Sequence, residues 1–139
     1  MQERKIRLRQ RPAPEGAQNP PARAIERYHE RVLWQVAFAI TLACELPVYA
    51  LALRRPLDGT LRALAVGVAA NLATHPLAWT LAVRGALPYV AIEGGVCLVE
   101  AALIYAAARA WRRRLPVHES LLVSLAANAF SAGVGLLIL

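Results

Sequence analysis

Residues 34–53 read WQVAFAITLACELPVYALAL and give way to Arg54-Arg55-Pro56. The run holds 20 residues, and its one charged side chain is Glu45. About 20 apolar residues in a helix cross a hydrocarbon core ~30 Å thick, so this stretch reads as a transmembrane span. Three more follow. Residues 61–83 end at Arg84-Gly85; residues 88–108 open on Pro88-Tyr89 and end at Arg109; residues 119–139 run to the last residue. In hydrocarbon every backbone N–H and C=O must be bonded inside the protein, which makes each segment helical. The links at 54–60, 84–87 and 109–118 are short, so sequential helices run antiparallel. The reading is an all-α, polytopic membrane protein with an up-down four-helix transmembrane domain over 34–139.

Composition agrees. The chain has 139 residues, one domain at most, and 58% of them are hydrophobic, against ~45–50% in an ordinary soluble protein. Residues 1–31 and the three links hold 15 of the 16 basic residues. The net charge of +7 is therefore no nucleic-acid signal. Arg4, Lys5, Arg7, Arg9 and Arg11 form a basic run with no interleaved aromatic residue, followed by Pro12, Pro14, Pro20 and Pro21. Residues 1–33 read as a disordered basic tail drawn to anionic headgroups, ending in an interfacial helical lead-in over 23–33. Cys44 and Cys97 each sit in an apolar run and read as small core hydrophobes, not as a disulfide framework. The first apolar run is too long for a signal peptide.

Loops 54–60 and 109–118 carry Arg54, Arg55, Arg109, Arg112, Arg113 and Arg114, whereas the middle link has only Arg84. The positive-inside rule places those two loops in the cytoplasm of a prokaryotic inner membrane. Both termini then face outward, in conflict with the eight basic residues of the tail. A natural start near Val32 would remove the conflict.

The polar residues inside the spans fall into stripes at helical spacing. Helix one carries Thr41 and Glu45; helix two Gly67, Asn71 and His75; helix three Glu93, Cys97 and Glu100; helix four Ser124, Asn128, Ser131 and Gly135. Four such stripes should face one another. At 1.5 Å per residue, counted from the side of loops one and three, Glu45, Glu100 and Asn128 lie ~12–13 Å deep and Asn71 ~15 Å deep. They form a first layer with one member from each helix. A second layer holds His75 and Glu93 at ~21–22 Å, with Thr41 and Ser131 at ~18 Å. It invites a His–Glu pair.

An ionisable group at mid-membrane opposes insertion by ~2.5–3.5 kcal/mol, so three glutamates are an expensive way to fix helix register. Glu45 and Glu100 in one layer would titrate as a coupled pair. Two Glu and two Asn offer hard oxygen acceptors and amide donors, which suit a proton, Na⁺, Ca²⁺ or Mg²⁺. A bound cation is the one cofactor this set admits. His75 and Glu93, with Cys97 or Glu100, are candidate ligands for a softer metal, but no third ligand is assured. The bland alternative is a hydrogen-bonded polar core that sets register. Pro47 and Pro76 lie inside helices one and two and release the carbonyls of Ala43 and Leu72 beside Glu45 and Asn71.

The motifs Glu45-Leu-Pro47, Asn71-x-x-Thr74-His75-Pro76, Glu93-x-x-Val96-x-x-x-Glu100-Ala101 and Ser124-x-x-x-Asn128-x-x-Ser131-x-x-x-Gly135 resemble those of a set of small prokaryotic four-span membrane proteins. The resemblance covers 34–139. In that set Asn often precedes the helix-two proline, where this chain has His75. The resemblance implies four spans and these positions; it implies no activity. Intramembrane-protease signatures are absent from the sequence.

Three functions fit. The leading one is a small membrane protein that binds or conducts a cation or proton at Glu45, Asn71, Glu100 and Asn128, as a homodimer because four helices rarely enclose a full pathway. The second is a non-catalytic subunit or assembly factor of a larger membrane complex. The third, an intramembrane metalloenzyme built on His75 and Glu93, is the weakest. In all three the lipid bilayer is the principal partner.

Overall fold

A computed structural model describes Ala22–Ile138, with side chains from Val32 onward. The basic run and the prolines that follow it lie outside the described residues. Four helices account for nearly all of the rest: α1 (Ala22–Leu53), α2 (Thr60–Val83), α3 (Tyr89–Ala110) and α4 (Val117–Ile138). Each contains a segment of 22–24 residues long and apolar enough to cross a membrane. The protein is an all-α, multi-pass membrane protein. The lead-in is continuous with the first span, so α1 extends 32 residues. The other helices begin or end within two residues of the lengths read from sequence.

Local chemistry sets the helix ends. After Leu53 the chain turns through Asp58 (φ 62°) and Gly59 (φ 147°), and Gly59 N–H donates back to Arg54 O at 2.8 Å. Gly85 (φ 60°) closes α2, its N–H donating to Ala82 O at 3.0 Å. Such left-handed backbone is free for glycine and costly for most other residues. Pro88 (φ −58°, ψ 140°) precedes α3 and Pro116 precedes α4. A proline suits these sites because the first helical turn leaves its N–H groups unbonded anyway.

Each helix packs on its neighbours in sequence, and α4 closes onto α1. The section is a square, with α1 opposite α3 and α2 opposite α4. Leucine and valine cover the outer faces, among them Leu51, Leu61, Leu72, Val90, Leu122 and Leu137, as lipid contact requires. Inside, the half nearer the arginine-rich links is closed by Tyr49, Leu53, Ala63, Ile104, Ala108 and Ala127. One leucine from each link, Leu57 and Leu115, folds into that plug. Across it Asp58 pairs with Arg113 and, at 3.6 Å, with Arg62, while Arg62 lies 5.7 Å from the Trp111 ring centroid.

The prolines do not break their helices: Pro47 and Pro76 lie within continuous α1 and α2. Ala43 and Leu72, whose carbonyls they release, are exposed residues on the outer side of the bundle. Gly94 and Gly95 also face open space, since an added Cβ would meet nothing within 4 Å. Close packing inside the chain does not account for them.

Candidate functional site

Glu45 and Glu100 are each 1% exposed. They sit on the diagonally opposed α1 and α3. Glu45 accepts from Asn71 Nδ2 at 2.8 Å and from Ser131 Oγ at 2.7 Å. Glu100 has donors from all three other helices in reach: Tyr49 OH at 2.8 Å, Thr74 Oγ1 at 3.0 Å, Asn128 Nδ2 at 2.6 Å and Ser124 Oγ at 3.3 Å, the last also 3.0 Å from Cys97 O. Every donor is neutral. Among the described residues the ion pairs are those of Asp58, so no Lys, Arg or His pairs with either glutamate.

The arrangement repeats. Glu45 and Glu100 are 55 positions apart, and Asn71 and Asn128 are 57 apart; the difference is the extra length of α3 beyond Ala108. Each asparagine splits its amide in the same way. Asn71 Nδ2 serves Glu45 and Gly67 O (3.1 Å), while Asn128 Nδ2 serves Glu100 and Ser124 O (3.0 Å). Three residues past each asparagine stands a hydroxyl, Thr74 or Ser131, and each crosses to the glutamate of the other hairpin. Buried positions follow the same offsets: Tyr49 with Ile104, Leu53 with Ala108, Ala63 with Ser120, Gly67 with Ser124, and Ala70 with Ala127. The two helical hairpins, α1–α2 and α3–α4, are thus two copies of one unit, both pointing the same way. They are related by a quasi-two-fold axis along the bundle.

One difference between the copies is Tyr49, which stands where the second hairpin has Ile104. The tyrosine is long enough to bridge the diagonal and give Glu100 its fourth donor. Its ring needs room on α2: a Cβ at Gly67 would lie 2.5 Å from Tyr49 Cδ2.

Above this layer the bundle opens. A cavity of about 660 Å³ starts at Glu45, Asn71, Glu100 and Asn128. It runs between the N-terminal halves of α1 and α3 and the C-terminal halves of α2 and α4, toward the end that carries the 84–88 link. Thr41, His75, Glu93 and Ser131 line it. Ser131 bonds Glu45 and so belongs to the carboxyl layer. His75 and Glu93 share neither a hydrogen bond nor an ion pair. The His75 ring instead meets Phe38 and Trp34 edge-on, at centroid distances of 4.9 and 6.0 Å, and its Nδ1 is buried without a partner among the described residues. Equal depth on neighbouring helices did not bring the pair together, because the imidazole turns toward α1.

No group of three or more His, Cys, Asp or Glu close enough to hold a metal occurs among the described residues. His75, Glu93 and Glu100 therefore do not converge as a ligand set. The oxygens that do converge belong to Glu, Ser, Thr, Tyr and Asn.

The stripes did not single out Tyr49 and Thr74, which occupy the right faces, and they left Ser124 outside the carboxyl layer. The signal that finds two of the three is the repeat: matching Asn71-x-x-Thr74 to Asn128-x-x-Ser131, and Gly67 to Ser124, marks Thr74 and Ser124 at once. Tyr49 escapes it, because the second hairpin has Ile104 there. The sequence matches no family model, and it has no significant match among curated proteins or solved structures.

Proposed function

We propose that the protein binds a cation or proton at Glu45 and Glu100 and passes it across the membrane. Asn71 and Asn128 would hold the carboxyls, and Thr41, His75, Glu93 and Ser131 would line the approach. One observation carries this reading: two buried carboxyls, held only by neutral donors, form the closed end of a deep cavity. Charge buried in low dielectric must be neutralised, either by a proton or by a counter-cation. The described residues supply donors that position the carboxyls and no basic side chain that neutralises them. A register device would be served as well by amides alone.

In this reading the chain lies in a prokaryotic cytoplasmic membrane. Links 54–59 and 111–116, with their arginines, face the cytoplasm, and the cavity opens on the other side. A second copy of the chain would complete the path beyond the closed half.

The test is flux in proteoliposomes. Wild type should move H⁺ or Na⁺ along an imposed gradient, and Glu45→Gln with Glu100→Gln should abolish it. Flux and binding unchanged in the double variant would refute the proposal. Co-purification with stoichiometric partners, without flux, would favour a subunit role instead.

A further inference from the structure

We infer that the ligand is a lipophilic organic cation, its charged centre docked against Glu45. This rests on the proposed function and names its substrate class. The size of the site is the first argument. A cavity of about 660 Å³ falls in the ~300–1,000 Å³ range of sites for small organic molecules, whereas one water occupies only about 30 Å³. A bare Ca²⁺ or Mg²⁺ needs about six oxygens at 2.0–2.6 Å around it. The upper walls here are instead Val36, Ile40, Trp79, Ile92, Val96 and Leu136.

The second argument is charge. Among the described residues the lining includes Glu45, Glu93 and Glu100 and neither Lys nor Arg. An anionic ligand is excluded by repulsion, and a neutral one leaves the carboxyls as they were. Trp79 and Tyr89 add aromatic faces of the kind that attract organic ammonium groups.

The third argument assigns the docking residue. An ionised carboxylate offers about four lone-pair sites. Glu100 has four donors in reach, three of them on Oε2, and is the more heavily bonded of the two. Glu45 receives two and keeps acceptor capacity at the cavity floor. When the empty site holds a neutral Glu45 carboxyl, docking breaks its O–H bond, releases that proton to water and forms the carboxylate–cation pair. One positive charge enters as one leaves, so cation and proton compete. Lower pH weakens binding.

The experiment uses the full chain, purified in mild detergent, and radiolabelled tetraphenylphosphonium as probe. Proton release is followed in weakly buffered solution, and ²²Na⁺ binding is measured in parallel. Wild type should bind tetraphenylphosphonium saturably and release about one proton per cation bound. Glu45→Gln, close in shape, should weaken binding about tenfold or more, the loss of at least one charge pair. Gly135→Leu gives the check against misfolding. Gly135 lines the cavity and its added Cβ meets nothing within 4 Å, so the side chain narrows the site without touching the carboxyls. It should weaken tetraphenylphosphonium binding and leave Glu45-dependent proton binding intact. Na⁺ or proton binding that depends on Glu45, with no saturable tetraphenylphosphonium binding, overturns this inference and leaves the proposed function standing. Wild type that binds none of the three overturns both. Tetraphenylphosphonium binding that survives Glu45→Gln and is displaced by neutral lipid makes the cavity a lipid slot and overturns the inference.

Discussion

Tyr49→Phe isolates the one hydrogen bond that joins opposite corners of the bundle. Tyr49 is fully buried and its hydroxyl lies 2.8 Å from Glu100 Oε2. Phenylalanine keeps the ring in the space that Gly67 leaves and removes the hydroxyl alone. Glu100 still holds Thr74, Ser124 and Asn128, so no acceptor is orphaned and no cavity large enough to collapse is made. The loss is then the net worth of one hydrogen bond. In general this is about 0.5–1.5 kcal/mol, and inside membranes it averages about 0.6 with a ceiling near 1.7. We expect a destabilisation of about 1 kcal/mol. Reversible unfolding in mixed detergent–dodecyl sulfate micelles, followed by far-ultraviolet circular dichroism, would measure it. Tyr105→Phe is the control, since Tyr105 is half-buried and bonds neither glutamate. Infrared difference spectra should also show the Glu100 carboxyl band shifted by Tyr49→Phe and untouched by Tyr105→Phe. Equal costs for the two variants would refute the bond. A cost above about 3 kcal/mol would refute the claim that Glu100 stays satisfied without it.

Three further outcomes follow from the same geometry. Gly67→Ala drives a Cβ to 2.5 Å from the Tyr49 ring and should cost about 1–3 kcal/mol as overpacking; Gly94→Ala, with nothing within 4 Å, should change stability little, and equal effects by the same unfolding assay would show that the ring is not held against α2. Ser131→Ala leaves Glu45 one donor, whereas Thr74→Val leaves Glu100 three, so Ser131→Ala should cost more, within about 0.6–1.7 kcal/mol of bond loss plus the exposure of an under-satisfied carboxyl; the reverse order would contradict the donor count. Asp58→Asn removes the partner of Arg113 and Arg62 at a site 61% exposed, and should cost no more than about 1 kcal/mol, fading at high salt. A salt-independent loss of twice that would mean the link is a structural clasp.

Much of the fold was legible because a bilayer leaves a chain few choices. Four apolar runs of spanning length, with arginines and turn residues between them, admit little besides an up-down bundle. Part of the site was legible for the same reason. A polar stripe that cannot face lipid must face the other helices, and counting depth placed Glu45, Asn71, Glu100 and Asn128 in one layer; the structure then pairs Glu45 with Asn71 and Glu100 with Asn128 by hydrogen bonds. Periodicity specifies a face and a height. It does not specify reach or partner. Tyr49 stands one turn from Glu45 on the same helix, yet its hydroxyl is carried across the diagonal to Glu100 by the length of the ring. Ser131 counts as deeper than Glu45, yet the glutamate side chain spans the difference. His75 and Glu93 count as level, yet the imidazole rotates toward Phe38 and Trp34. Each of these turns on a side-chain rotamer, which packing decides and spacing does not.

The repeat explains why the two glutamates behave differently in one site. A quasi-two-fold axis along the bundle sets Glu45 and Glu100 at one depth, facing each other. With identical hairpins they would carry identical donors and could not divide their roles. The hydroxyls of Thr74 and Ser131 cross between hairpins, so neither hairpin can move against the other without exposing a carboxyl oxygen, and the pair is locked as long as both crossings hold. Two departures from symmetry fall on this lock and on the cavity above it. Tyr49 replaces Ile104 beneath the carboxyls, and His75 replaces Ala132 along the wall. The closed half stays paired, leucine against alanine and alanine against serine, with the same positions buried. A plug needs only volume, and two similar hairpins supply it. A site that must hold one carboxyl more tightly and leave the other more receptive needs the copies to differ, and Tyr49 adds to that difference with one hydroxyl group.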